Sequence, residues 1–154
     1  MVRLATCLCS VLTEAGRPTC FCGVIPGDAP VASYSGECSN GDCGMAWVRL
    51  TTAYMANGVG QTADLTPGNC SKELGVDLEI GVLRCIDVEV ESPPAAELLA
   101  QTEVQTKDAE AIIRALACCD AISSKDFILG GYTPMGPMGG YLGGMWQVRM
   151  IAVP

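Results

Sequence analysis

A chain of 154 residues, 49% hydrophobic and 17% charged, is long enough for one domain with a real core. Its formal charge of -8 comes from 17 acidic residues against 9 scattered basic ones, with no histidine. That balance argues against a protein that grips nucleic acid through its phosphates, which takes a concentrated basic patch. No apolar run approaches the ~18–20 residues of a membrane span. Met1 to Leu12, with Arg3 as its one basic residue and an apolar run broken by Thr6 and Ser10, lacks a small-residue cleavage site. It reads as a mature N-terminus made in the cytoplasm.

In chain order, Leu4, Cys7, Leu8, Val11 and Leu12 recur at helical spacing and Gly16-Arg-Pro18 supplies a stop, so the spacing predicts a helix over 2–15. Thr19 to Ile25 predicts a short strand, suited to an edge, and 28–44 a loop rich in Pro, Ser, Gly and Asn. Gly44 to Met55 alternates as a strand, with Ala46, Val48, Leu50, Thr52 and Tyr54 on one face and Trp47, Arg49 and Thr51 on the other. The two aromatics suit sheet packing better than ligand stacking. Asn57 to Ser71 reads as a long exposed loop.

Leu74 to Val90 predicts a second strong strand, with Val76, Leu78, Ile80 and Val82 set against Asp77, Glu79 and Gly81. The carboxylates of this region fit a solvated strand face better than an acid–base or metal site, since no motif fixes their geometry. Ser92-Pro93-Pro94 opens a helix running to about Cys119, with Leu98, Leu99, Thr102, Ala109, Ile112, Ile113, Leu116 and Ala117 on its apolar face. Ser123 to Leu129 predicts a short strand or turn. Thr133 to Gly144 reads as a glycine-, proline- and methionine-rich loop, and Trp146 to Val153 as a closing strand. The glycine pairs in that loop lack a P-loop lysine and lead into a strand, so they do not predict a phosphate cradle.

These elements predict an α+β domain: a largely antiparallel sheet of about four strands, with an N-terminal helix and one long helix packed on it, in a single domain over 1–154. The ten cysteines are unusual for a reducing cytoplasm and leave three readings open, disulfides, buried thiols or metal. The C-x-C and C-x4-C spacings make poor zinc knuckles. Turn chemistry at Asn40-Gly41 makes Cys38 and Cys43 a candidate disulfide, and disulfides would imply an extracellular working life or a particle that oxidises after release. No catalytic residue, cofactor or metal set is expected, and a cysteine-dependent enzyme is the remote alternative, since a thiol without histidine needs another base.

The order of elements over nearly the whole chain resembles the tail terminator proteins of siphovirus-type bacteriophages. The likeness rests on an N-terminal helix, two long strands at Gly44–Met55 and Leu74–Val90 separated by an extended loop, the helix at Pro93–Cys119, and a glycine-rich approach to Trp146-Gln-Val-Arg-Met-Ile. The segments Cys43–Leu50, Leu78–Cys85 and Tyr132–Gly140 are also similar to cysteine-rich head-to-tail neck proteins of actinobacterial phages. The cysteines depart from the generic terminator pattern, which leaves a neighbouring connector role open.

The resemblance implies a structural virion protein, made in the host cytoplasm and residing in the tail neck. It would form a homo-oligomeric, hexameric ring that ends tail-tube growth and joins tube protein to head connector, with DNA passing through without specific binding. The alternatives are a stopper ring or a tail-tube subunit. On that implication Asn57, Gly60, Asp64 and Pro67, and Thr133, Met135, Met138 and Gly140, are candidate docking-loop residues. Asp77, Glu79, Asp87 and Glu89 are candidate lumen acids, repelling DNA.

Overall fold

The structure, a computed structural model, describes residues 1–27, 44–63, 73–86, 94–119, 127–138 and 140–152. The first helix, α1 (Val2–Glu14), buries Leu4, Ala5, Leu8, Val11 and Leu12 along one stripe. It stops because Gly16 takes a positive φ of 68°, a conformation that glycine adopts without steric cost. The Gly16 amide then donates to Thr13 and the Arg17 amide to Leu12, the two bonds of a Schellman cap. The same turn carries Arg17 back toward the domain.

Six strands follow or interleave: β1 (Phe21–Val24), β2 (Gly44–Gly58), β3 (Gln61–Thr62), β4 (Glu73–Cys85), β5 (Phe127–Met138) and β6 (Tyr141–Ile151). They form one sheet in the order β1-β2-β4-β6-β5, with β3 paired to β2. β1 runs parallel to β2, and every other pairing is antiparallel. The expected four-stranded, largely antiparallel sheet is therefore corrected to a six-stranded mixed one.

The largest correction concerns the loop expected over Thr133–Gly144. Most of it is the end of β5 and the start of β6, paired Thr133 to Met145, Pro134 to Gly144 and Met135 to Gly143. Glycine and proline are poor strand formers, but a strand can be imposed by its neighbours. Pro134 and Pro137 are tolerated because β5 is the last strand of the sheet, where a missing N–H costs no ladder bond. Asn57 likewise belongs to β2 rather than to a loop, and the chain turns at Gly60 into β3.

The second helix, α2 (Ala95–Cys118), starts after Pro94, whose carbonyl accepts from the Glu97 and Leu98 amides. Its buried residues are Asp108, Ala111, Ile112, Ala115 and Leu116. The apolar face expected to include Leu98, Leu99 and Ile113 is corrected: those three are exposed, and a carboxylate takes a core position instead.

Both helices lie on one face of the sheet, over Ala46, Val48, Val76, Leu78, Ile80, Val82 and Val148. The opposite face carries a smaller cluster of Ile25, Met45, Trp47 and Leu83. A bulge sets the faces of β2. Leu50 pairs with Leu78 but Thr52 with Asp77, so Thr51 is the extra residue, and its hydroxyl donates to the Asp77 carbonyl at 3.0 Å. Beyond it the alternation inverts, and Tyr54, expected on the Ala46 face, lies on the Trp47 face against Gly75.

Candidate functional site

Asp108 is 1% exposed and is held by two guanidinium groups. Arg17 Nε donates to Asp108 Oδ1 at 2.9 Å, and Arg84 donates through Nε to Oδ2 and through Nη2 to Oδ1, each at 3.0 Å. Further donors of both groups reach backbone carbonyls. Arg84 reaches the carbonyls of Arg17 and Pro18, both at 2.8 Å, and Arg17 Nη2 reaches the Val104 carbonyl at 3.1 Å. A buried carboxylate is tolerated when paired and fully hydrogen-bonded. This one fastens the α1 cap, β4 and α2 together. Its sequence signal is a lone acid at a helix position flanked by buried residues at i+3 and i+4 (Ala111 and Ile112).

The glycines of β6 seat α2 and β5. Gly144 leaves room for the Tyr132 ring, which a Cβ there would strike. The ring lies 5.6 Å from that of Trp146, whose Nε1 donates to the Ala109 carbonyl at 3.3 Å. Gln105 Nε2 donates to the carbonyls of Gly143 and Met135, at 2.7 and 3.1 Å, and so clamps α2 across β6 and β5. The Tyr132 hydroxyl is buried without a hydrogen-bond partner. Burial, helped by the Asp108 charge, pushes it from the ordinary 10.0 up to about 12.

On the other face, Arg49 Nε donates to Glu79 Oε2 at 2.6 Å and Nη1 to the Gly27 carbonyl at 3.1 Å. Both side chains are buried, which corrects the reading of Glu79 as part of a solvated face. The acid lies opposite Arg49 across β2 and β4, so the pair forms within the ladder. Asp77 stands 3.5 Å from Arg149 Nε on β6, at a more open position. Asp87 and Glu89, the other two candidate lumen acids, lie outside the described residues.

Of the candidate docking residues, Asn57 is the last but one residue of β2 and Gly60 forms the turn before β3; a Cβ on Gly60 would stand 3.1 Å from Ile128 on β5. Thr133, Met135 and Met138 are in β5, and Gly140, with φ 88°, makes the β5–β6 turn. Asp64 and Pro67 lie outside the described residues. The sequence reading missed exposed apolar side chains near both ends of β4. At one end, Leu98 and Leu99 on α2 are 49% and 63% exposed. Neither lines the cleft of about 240 Å³ between α2 and the strands, which is walled by Arg84, Cys85, Ile86, Gln101, Val104 and Leu142 among others. At the other end Leu74 and Ile128 are 48% and 49% exposed, on opposite faces of the sheet: Leu74 shares the helix face with Val76, and Ile128 shares the other with Arg149 and Asp77.

Two disulfides tie α1 down: Cys7–Cys119 and Cys9–Cys22. Cys20 and Cys85 are disulfide-bonded as well, and Cys118 is free and exposed. Six of the seven described cysteines are thus oxidised, which decides among the three readings for these residues. The candidate pair Cys38 and Cys43 lies outside the described residues. Among the described residues no helix is long and apolar enough to cross a membrane. No protein-family model and no curated protein matches the chain.

Proposed function

We propose that the chain is a structural subunit of a closed ring in the neck of a long-tailed phage, ending tail-tube growth and joining the tube to the head connector around a DNA channel. The observation that carries this reading from the structure is the pair of unlike apolar surfaces. Leu98 and Leu99 are exposed on α2, and Ile128 is exposed on the edge strand β5, on the sheet face away from the helices. A ring contact is heterologous and needs two different patches on one chain, whereas a lone monomer gains nothing from exposing either. The acidic balance of -8 supports a lumen that DNA passes without adhering. The N-terminal helix, the two long strands β2 and β4 and the long helix after them are the part of the resemblance that supports the terminator level of the neck.

The edge strand itself supports packing rather than strand addition. β5 carries two prolines and two shifts of register, between Leu129 and Tyr132 and between Met135 and Met138. Both devices blunt an edge against pairing with another chain. Subunits would therefore meet through side chains such as Ile128. Sedimentation of the purified chain, with electron microscopy of the same sample, tests the reading: a closed ring is expected. A strict monomer at high concentration that is also absent from particles overturns it.

A further inference from the structure

Cys7 and Cys9 are two positions apart on α1, about 200° around a helix of 3.6 residues per turn. Their sulfurs therefore leave opposite flanks, one to Cys119 just beyond α2 and the other to Cys22 in β1. The helix is braced on both sides. It is also held without these bonds, by five buried side chains and by Arg17, which enters the Asp108 cluster immediately past its cap. The non-covalent contacts already join α1 to α2 and β4. The covalent ones add a second hold on the same helix, spanning 112 and 13 positions of sequence.

We propose that α1 is a redox-gated element: the domain folds with these four cysteines as thiols, and exchange with a small-molecule disulfide, which leaves as two thiols for each protein bond formed, later locks the helix between α2 and β1. While the thiols are reduced, α1 opens and recloses on its own, hinged at Arg17. Once they are oxidised, it cannot leave without α2 and β1, because its flanks are covalently joined to them. Unlocking each bond by a small dithiol takes two thiol–disulfide exchanges. The reductant's two sulfurs close into its own disulfide, and the protein gains two thiols in exchange, so opening both bonds consumes two equivalents. The gate does not depend on the ring reading.

Hydrogen exchange by mass spectrometry tests it on three samples in a Cys118→Ser background, which removes the free thiol that would otherwise reshuffle Cys119. These are the oxidised chain, the chain in dithiothreitol, and a variant with Cys7, Cys9, Cys22 and Cys119 all changed to alanine. The expected result is that α1 amides exchange on the order of a hundredfold faster in the second and third samples, while β4 and β6 keep their protection. Unchanged α1 protection would show that the apolar stripe alone holds the helix, and overturns the gate. Loss of protection throughout the variant would show that the bonds are a condition of folding, which also overturns it. An effect of dithiothreitol that the alanine variant fails to reproduce would belong to other disulfides, and the gate would fall in that case too.

Discussion

Asp108 and Asp77 are both aspartates beside an arginine, and they do different work. Asp108 is on the buried side of α2 with both oxygens bonded to guanidinium groups, and two segments distant in sequence converge on it. Asp77 faces Arg149 across two neighbouring strands, at 3.5 Å and in partial contact with water. The difference lies in burial and in how many elements the charge connects. An ion pair near water contributes ~0–1 kcal/mol, whereas removing one partner from a buried cluster strands the others without solvent.

Substitution sharpens that contrast. Asp108→Ala should cost about 3–5 kcal/mol in urea unfolding, because two guanidinium groups then stay buried beside each other with no counter-charge. Glu79→Ala should cost about 3 kcal/mol, the low end of the same range, since Arg49 keeps the Gly27 carbonyl as a partner. Gly144→Val should cost about 1–3 kcal/mol by displacing Tyr132 from its seat, and the loss should shrink in a Tyr132→Ala background. Arg149→Ala should stay within ~1 kcal/mol of the parent and lose even that in high salt.

The smallest effect at neutral pH belongs to Tyr132→Phe, since it deletes a hydroxyl that has no partner. Its signature appears in alkali. The folded value of about 12 lies above the ordinary 10.0, so between the two the unfolded chain has lost the proton while the folded one retains it. Stability contributed by the neutral phenol is therefore complete below pH 10 and falls as pH rises toward 12. The phenylalanine variant should show a shallower decline over that window, read from thermal melts. An identical decline in both proteins would place the alkaline sensitivity elsewhere.

The parts of this fold that were legible in the sequence are those where local pattern and tertiary role agree. The alternation of Val76, Leu78, Ile80 and Val82 against Asp77, Glu79 and Gly81 gives β4 and its two faces. The stripe from Leu4 to Leu12, ended by Gly16, gives α1. The pattern fails where pairing overrides propensity. Gly81 lies against the Trp47 ring and Gly144 against Tyr132, so residues that signal a loop are required by large neighbours on the adjacent strand. The edge position of β5 admits its prolines.

The functional surfaces were less legible. Leu98 and Leu99 look like core on a broad apolar face, but the buried stripe of α2 is the narrower one through Asp108, Ala111, Ile112, Ala115 and Leu116. Asp108 looks like one more polar position until Arg17 and Arg84, from far along the chain, are brought to it. The C-x-C spacing at Cys7 and Cys9 suits no metal and so looks uninformative. Its meaning depends on the helix that carries it, which sends the two sulfurs to opposite neighbours.

The extra residue in β2 has a consequence for how this strand can change. Thr51 acts as a phase shift: residues before it obey one alternation and residues after it the other. Deleting Thr51 would bring both Tyr54 and buried Ala56 round from the far face toward the helices. A one-residue insertion anywhere between Thr52 and Met55 would restore the lost phase downstream of itself. Two lesions that are each damaging would then be tolerated together, as paired frameshifts restore a reading frame.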